Sequence, residues 1–175
     1  MLRTEIKYGL ITGIGICLWI LAEYFLGFHT DKMEMGEYAI YFVVIIPLFT
    51  IFFGLKEKRD SQYDGKISVG NGLKAGLMIS LIAAIIVIFF LIIYLNYINP
   101  DYSELGVAYY KKKIMLSDRI TIHDIEELES IKQMFSFINQ LLFGVIGTIG
   151  TGLLISFGVS LYFKTGGIIR KKLLS

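Results

Sequence analysis

The sequence predicts an all-α fold: an integral membrane four-helix bundle with a short extracytoplasmic helical hairpin between its third and fourth spans. Three observations carry this reading. Of the 175 residues, 55% are hydrophobic and only 18% are charged, which leaves little room for a polar tail or a disordered linker. The apolar residues collect into four runs of about 20 residues, each long enough to cross a hydrocarbon layer of about 30 Å. The basic residues are sorted among the connecting segments, and a net charge of +2 is too small and too dispersed to indicate a nucleic-acid partner. The single cysteine, Cys17, excludes an intramolecular disulfide and reads as a small packing residue.

The first run covers 8–28. Arg3 and Lys7 precede it, as in a secretory leader, but it exceeds the roughly 7–15 apolar residues of a leader. Gly27, Phe28, His29 and Thr30 also do not form a small-residue cleavage site, so the run is expected to be a retained helix. The second run, 38–55, holds Pro47 near its middle. Proline there removes the hydrogen bond to the Val43 carbonyl and crowds the preceding turn, so a kink within the helix is expected. The third run, 75–98, is uncharged and aliphatic. The fourth, 137–163, is glycine-rich and uncharged until Lys164.

Lys and Arg resist translocation, so their distribution sets orientation. The segments on the side of the termini hold eleven basic residues against six on the other side, which places both termini in the cytoplasm. The Lys111, Lys112, Lys113 triplet opposes this bias but lies far from either flanking span. Tyrosines favour both interfaces: Tyr24, Tyr38, Tyr41, Tyr94 and Tyr97 fall near one side, and Tyr8 and Tyr162 mark the other.

The connection 29–37 is short, which makes the first two spans antiparallel neighbours. Segment 56–74 reads as a solvated, positive loop turning at Asp64 and Gly65, able to contact anionic lipid headgroups at about 1 kcal/mol per basic residue. Segment 99–136 is the one sizeable polar region. Asn99, Pro100 and Asp101 form a good helix start, with a first helix to about Met115. Thr121 and Asp124 resemble a capping box for a second amphipathic helix, one that could run on into the fourth span.

Lipid tails are as apolar as leucine, so helices associate inside a bilayer through close approach and hydrogen bonds. Small residues at four-residue spacing mark where this happens. The fourth span carries Gly144, Thr148, Gly152, Ser156 and Ser160; the third carries Gly72, Gly76, Ser80 and Ala84; the first carries Gly9, Gly13 and Cys17. These faces are expected inside the bundle or at a contact between copies.

Glu23 is the one acid within a span. It reads as a snorkelling or hydrogen-bonded carboxylate, or else as a proton or cation site in a polar layer with Asn96, Asn139 and Gln140. His29 with Asp31, and His123 with Asp124, lack fixed ligand spacing and read as solvated loop residues, so no metal site is assigned. Gly70, Gly72 and Ala75 imitate a dinucleotide fingerprint, but no strand precedes them. No serine elbow, paired carboxylates or zinc helix appears in any span, hence no cofactor and no enzymatic chemistry are expected.

The stretch Lys7, Tyr8, Gly9, Leu10, Ile11, Thr12, Gly13, the segment Phe53, Gly54, Leu55, Lys56 with Arg59 and Asp60, and Gly65, Lys66, Ile67, Ser68 ahead of Lys74, Gly76, Leu77 resemble domain of unknown function family 4199 (DUF4199). The long polar segment opening at Pro100 adds to this resemblance, which runs from Lys7 to Lys172. Those are small four-helix membrane proteins of Bacteroidetes; the resemblance implies a bacterial inner (cytoplasmic) membrane location and carries no activity with it. Members often have a proline at the start of the last helix, and this chain has none there. The sequence therefore points to a non-enzymatic structural or accessory protein acting through helix packing, with membrane lipids, a second copy or another membrane protein as partners. Two other readings are a small-solute or proton carrier using Glu23, and an extracytoplasmic sensor or binding module built from 99–136.

Overall fold

The computed structural model describes residues 3–39, 41–115 and 122–173, leaving aside the side chains of 122–124 and 165–173. Among these residues there are seven α-helices and no strand: α1 (Arg3–Phe25), α2 (Met33–Ala39), α3 (Ile45–Gln62), α4 (Val69–Ile93), α5 (Tyr102–Met115), α6 (Ile122–Met134) and α7 (Phe137–Leu173). α1, the α2–α3 segment, α4 with the turn that follows it, and α7 are long and apolar enough to cross a membrane. The protein is a membrane four-helix bundle. α4 packs most extensively on α7 and α1, and α3 closes the ring between α1 and α7. The α5–α6 hairpin marks one end of the bundle, and the start of α1 with the end of α7 marks the other, here the terminal end.

The small-residue faces meet one another at the α4–α7 contact. A methyl group added at Gly72 would overlap the Ser160 hydroxyl, one at Gly76 would overlap that of Ser156, and one at Gly152 would overlap that of Ser80. Each helix thus presses serines into the other's glycines. Ser80 and Ser156 donate back to carbonyls of their own helices, Gly76 at 2.8 Å and Gly152 at 2.6 Å, so these two hydroxyls are satisfied without a cross-helix partner. On α1, Gly9 and Gly13 admit Ile82 and Ile86 of α4, and Cys17 is buried beside Ile16, Val87 and Leu91.

Three expectations need correction. Pro47 lies near the start of α3 and not in the middle of one continuous helix. The chain breaks ahead of it, in a 3₁₀ turn Phe42–Val44, and Pro47 sits in the first turn of α3, where its missing N–H would have had no partner within the helix. Segment 56–74 is not a solvated loop throughout, because α3 continues to Gln62 and buries Lys58 in an ion pair with Glu5. Beside it the Glu57 carboxylate accepts from Lys7 at 2.6 Å and Tyr8 at 3.1 Å. These pairs lock α3 to α1 over 49 to 53 residues of sequence separation, which no local pattern could reveal. α4 then begins at a Ser68 cap, whose hydroxyl accepts from the Asn71 N–H at 3.2 Å.

The third correction concerns the hairpin. Asn99 does not cap α5; its amide turns back to the Tyr94 hydroxyl at 3.1 Å. α6 ends at Met134, separate from α7, and three side chains close it. Asn139 donates to the Gln133 carbonyl at 2.6 Å, Gln140 to that of Met134 at 3.0 Å, and Ser103 to that of Phe135 at 2.6 Å. They satisfy carbonyls that a helix end leaves without partners. Thr121 lies outside the described residues, as do the side chains of His123 and Asp124.

Candidate functional site: a buried carboxylate between two cavities

Ile16, Ile20 and Glu23 recur at helical spacing, so all three point from α1 to the same side. α1 then ends in a Schellman motif. The Phe28 N–H reaches the Glu23 carbonyl at 2.9 Å and the Gly27 N–H reaches that of Tyr24 at 3.0 Å. Gly27 sits at φ +82°, a left-handed conformation that only glycine adopts without strain. The reversal folds the next residues over the last turn of α1. His29 is thereby brought back to within 3.4 Å of the Glu23 carboxylate.

Opposite them, α4 ends in a single π turn, Tyr94–Ile98, in which the Asn99 N–H bonds to the Tyr94 carbonyl at 2.8 Å. One extra residue in this turn sets Asn99 under Tyr94, as π turns at functional sites often do. The Tyr94 hydroxyl is 2.6 Å from His29 Nδ1. Asn99 donates to that hydroxyl at 3.1 Å, and the other imidazole nitrogen, Nε2, faces Glu23. On the far side the Trp19 indole donates to Glu23 at 2.7 Å. The result is a hydrogen-bonded chain linking Asn99, Tyr94 and His29, which converges with Trp19 on one carboxylate.

Glu23 is 7% exposed and therefore does not snorkel, and the His29 side chain, at 14%, is not the solvated loop residue its sequence suggested. The Tyr102 ring, 5.1 Å away at 65°, covers the imidazole. Burial, reinforced by the nearby Glu23 charge, pushes the Tyr102 hydroxyl up to about 12 from its ordinary 10.0.

Two cavities adjoin this cluster. One, of about 390 Å³, lies inside the hairpin half of the bundle and is walled by Ile16, Ile20, Val87 and Leu91. Val44 and Pro47, at the entry to α3, and Gly147 and Thr151 of α7 also line it. The other, of about 650 Å³, lies beneath the hairpin, among Phe28, Tyr109, Tyr110 and Phe135. Glu23, His29, Tyr102, Gln140 and Phe143 line both, so the carboxylate stands at the waist between them. Neither cavity is lined by a lysine or arginine among the described residues.

Of the residues expected to form a polar layer, Glu23 and Gln140 share this site. Asn139 closes α6, and Asn96 is exposed and donates to its own helix at the Ile92 carbonyl. The sequence reading missed Trp19, His29, Tyr94, Asn99 and Tyr102. An indole donor four residues before a lone intramembrane acid was a usable local signal; the others depend on how the chain reverses. Among the described residues no three histidine, cysteine or acidic side chains gather as metal ligands.

The family described as Protein of unknown function (DUF4199) matches residues 7–165, nearly the whole chain, and the protein belongs to that family. No curated protein and no solved structure matches it.

Proposed function

We propose that this family member is a non-enzymatic accessory protein of the bacterial inner membrane that holds a small ligand in the hairpin half of its bundle, with both termini cytoplasmic and the α5–α6 hairpin outside. The observation that carries this is the pair of cavities meeting at Glu23. Their sizes fall within the roughly 300–1,000 Å³ of small-molecule sites. Toward the terminal end the way is filled by Ile51, Leu55 and Ile79, each no more than 1% exposed, and a blind cavity favours holding over conduction. The small-residue seam joins α4 to α7 within one chain, so its role is to make the bundle rigid. The orientation rests on the eleven-to-six division of basic residues.

Trp19 is the chain's one tryptophan and bonds directly to the carboxylate at the waist, so its fluorescence reports on the site. With full-length protein in phosphatidylcholine nanodiscs, bromohexanol is expected to quench Trp19 with a saturable component. Gly147→Leu should remove that component, because Gly147 lines the smaller cavity and a Cβ there meets nothing within 4 Å, so the larger side chain takes up cavity space without disturbing the fold. Quenching that never saturates in the wild type, or that Gly147→Leu leaves unchanged, refutes the reading. Cysteines at Asp64 and Lys112 in a Cys17→Ala background test the orientation: an impermeant maleimide on intact cells should label only the second.

A further inference from the structure

The donor count around Glu23 bears on what the cavities hold. Trp19 engages Oε1, while Oε2 faces His29 at 3.4 Å. No lysine or arginine pairs with Glu23 among the described residues. The other acid lining the cavities, Glu37, is already paired with Lys113 at 3.0 and 3.1 Å. A buried carboxylate with no lysine or arginine beside it is costly, and neither cavity has one in its lining among the described residues. The walls of the larger cavity are aromatic, with Phe28, Tyr102, Tyr109, Tyr110, Phe135 and Phe143, the side chains whose ring faces attract cations. Away from these shared rings the smaller cavity is walled by Ile16, Ile20, Val43, Val87, Leu91 and Leu95.

We propose that the site binds an alkylammonium: a positively charged nitrogen against Glu23 among the aromatic rings, with its alkyl chain in the smaller cavity. This rests on the ligand-holding reading above. A free alkylammonium suits the site better than a phospholipid, because a phosphate next to Glu23 would find no unpaired basic partner in the lining. Anionic amphiphiles are excluded on the same ground.

The test uses the full chain in phosphatidylcholine nanodiscs with three probes of equal length: bromohexyl-trimethylammonium, bromohexanol and bromohexanesulfonate. The cation should half-saturate the quenching of Trp19 at a concentration at least about tenfold below that of the alcohol, and the sulfonate should show no saturable component. Glu23→Gln should erase the cation's advantage over the alcohol. Equal behaviour of cation and alcohol, or a preference that survives Glu23→Gln, overturns the alkylammonium. The charge series in the wild type decides this even where Glu23→Gln fails to assemble. Saturation without regard to charge sinks this inference alone, whereas saturation by none of the three sinks the holding reading too. Loss of the cation's saturable quenching when phosphatidylethanolamine is added to the nanodiscs would make the occupant an aminolipid and overturn a free amphiphile.

Discussion

The α4–α7 seam makes a prediction that can be worked atom by atom at Gly76 and Ser156. A Cβ at Gly76 would overlap both the Oγ and the Cβ of Ser156, while the next atom, the Ser156 Cα, lies 3.6 Å away. Ser156 cannot turn aside, being fully buried with its hydroxyl bound to the Gly152 carbonyl. Gly76→Ala therefore forces the helices apart, at a cost of about 1–3 kcal/mol for overpacking. The better helix propensity of alanine returns about 0.8–1 kcal/mol of this. Ser156→Gly alone removes packing and adds backbone freedom, for a loss of about 1 kcal/mol. In the double variant the nearest atom to the new methyl is the backbone at 3.6 Å, an ordinary contact. The swap should therefore come within about 1 kcal/mol of wild type, with a coupling energy of about 2 kcal/mol between the sites. Reversible unfolding in mixed detergent micelles, across the four members of the cycle, measures this. Additive effects, or a Gly76→Ala variant more stable than wild type, would refute the close-approach account.

Other consequences are simpler to state. Lys58→Ala leaves the Glu5 carboxylate, whose side chain is 3% exposed, without its partner and should lose about 3 kcal/mol; replacing both residues by leucine should recover most of it in the same unfolding assay. Gly27→Ala places a Cβ at φ +82° and should cost about 1–2 kcal/mol. Because that turn positions His29, it should also weaken the saturable quenching of Trp19. Tyr102 holds its proton up to about pH 12 when folded but only to about 10 when unfolded. Between those values the native state binds more protons, so stability should fall as pH rises through this window. Tyr102→Phe should flatten that slope, and an unchanged slope would count against a buried hydroxyl.

What could be read from the sequence was what repeats locally. Four spans follow from run length, and the glycine–serine faces follow from a four-residue spacing that survives folding unchanged. What could not be read depends on where the chain reverses. Pro47 looked like the centre of a span because the apolar run hides the break at Phe42–Val44. Lys58 looked solvated because its partner, Glu5, lies 53 residues away. The polar layer was placed by depth along the chain, which treats every amide at one level as equivalent. Asn139 is instead claimed by an exposed carbonyl of α6 and Asn96 by its own helix, while Gln140 bonds to α6 and still lines the site. His29 and Asn99 enter the site through a glycine reversal and a π turn, neither of which leaves a periodic trace.

The cavity and the seam have one origin. Toward the terminal end, α4 offers Gly72, Gly76 and Ser80 to α7, which answers with Ser160, Ser156 and Gly152, and the two backbones approach closely. Past Ala84 the buried face of α4 changes to Val87, Leu91 and Tyr94, while α7 remains small with Thr148 and Gly144. There a Cβ on Gly144 would come within 2.5 Å of the Leu91 side chain, so large residues now hold the helices apart. Small against small closes one half of the bundle, and large against small opens the other. Because α3 starts only after the break before Pro47, it does not fill the gap, and the space left between it and α7 is the cavity beside Glu23. Enlarging the seam would disturb the bundle as a whole; filling the gap at Gly147 should alter only what the bundle can hold.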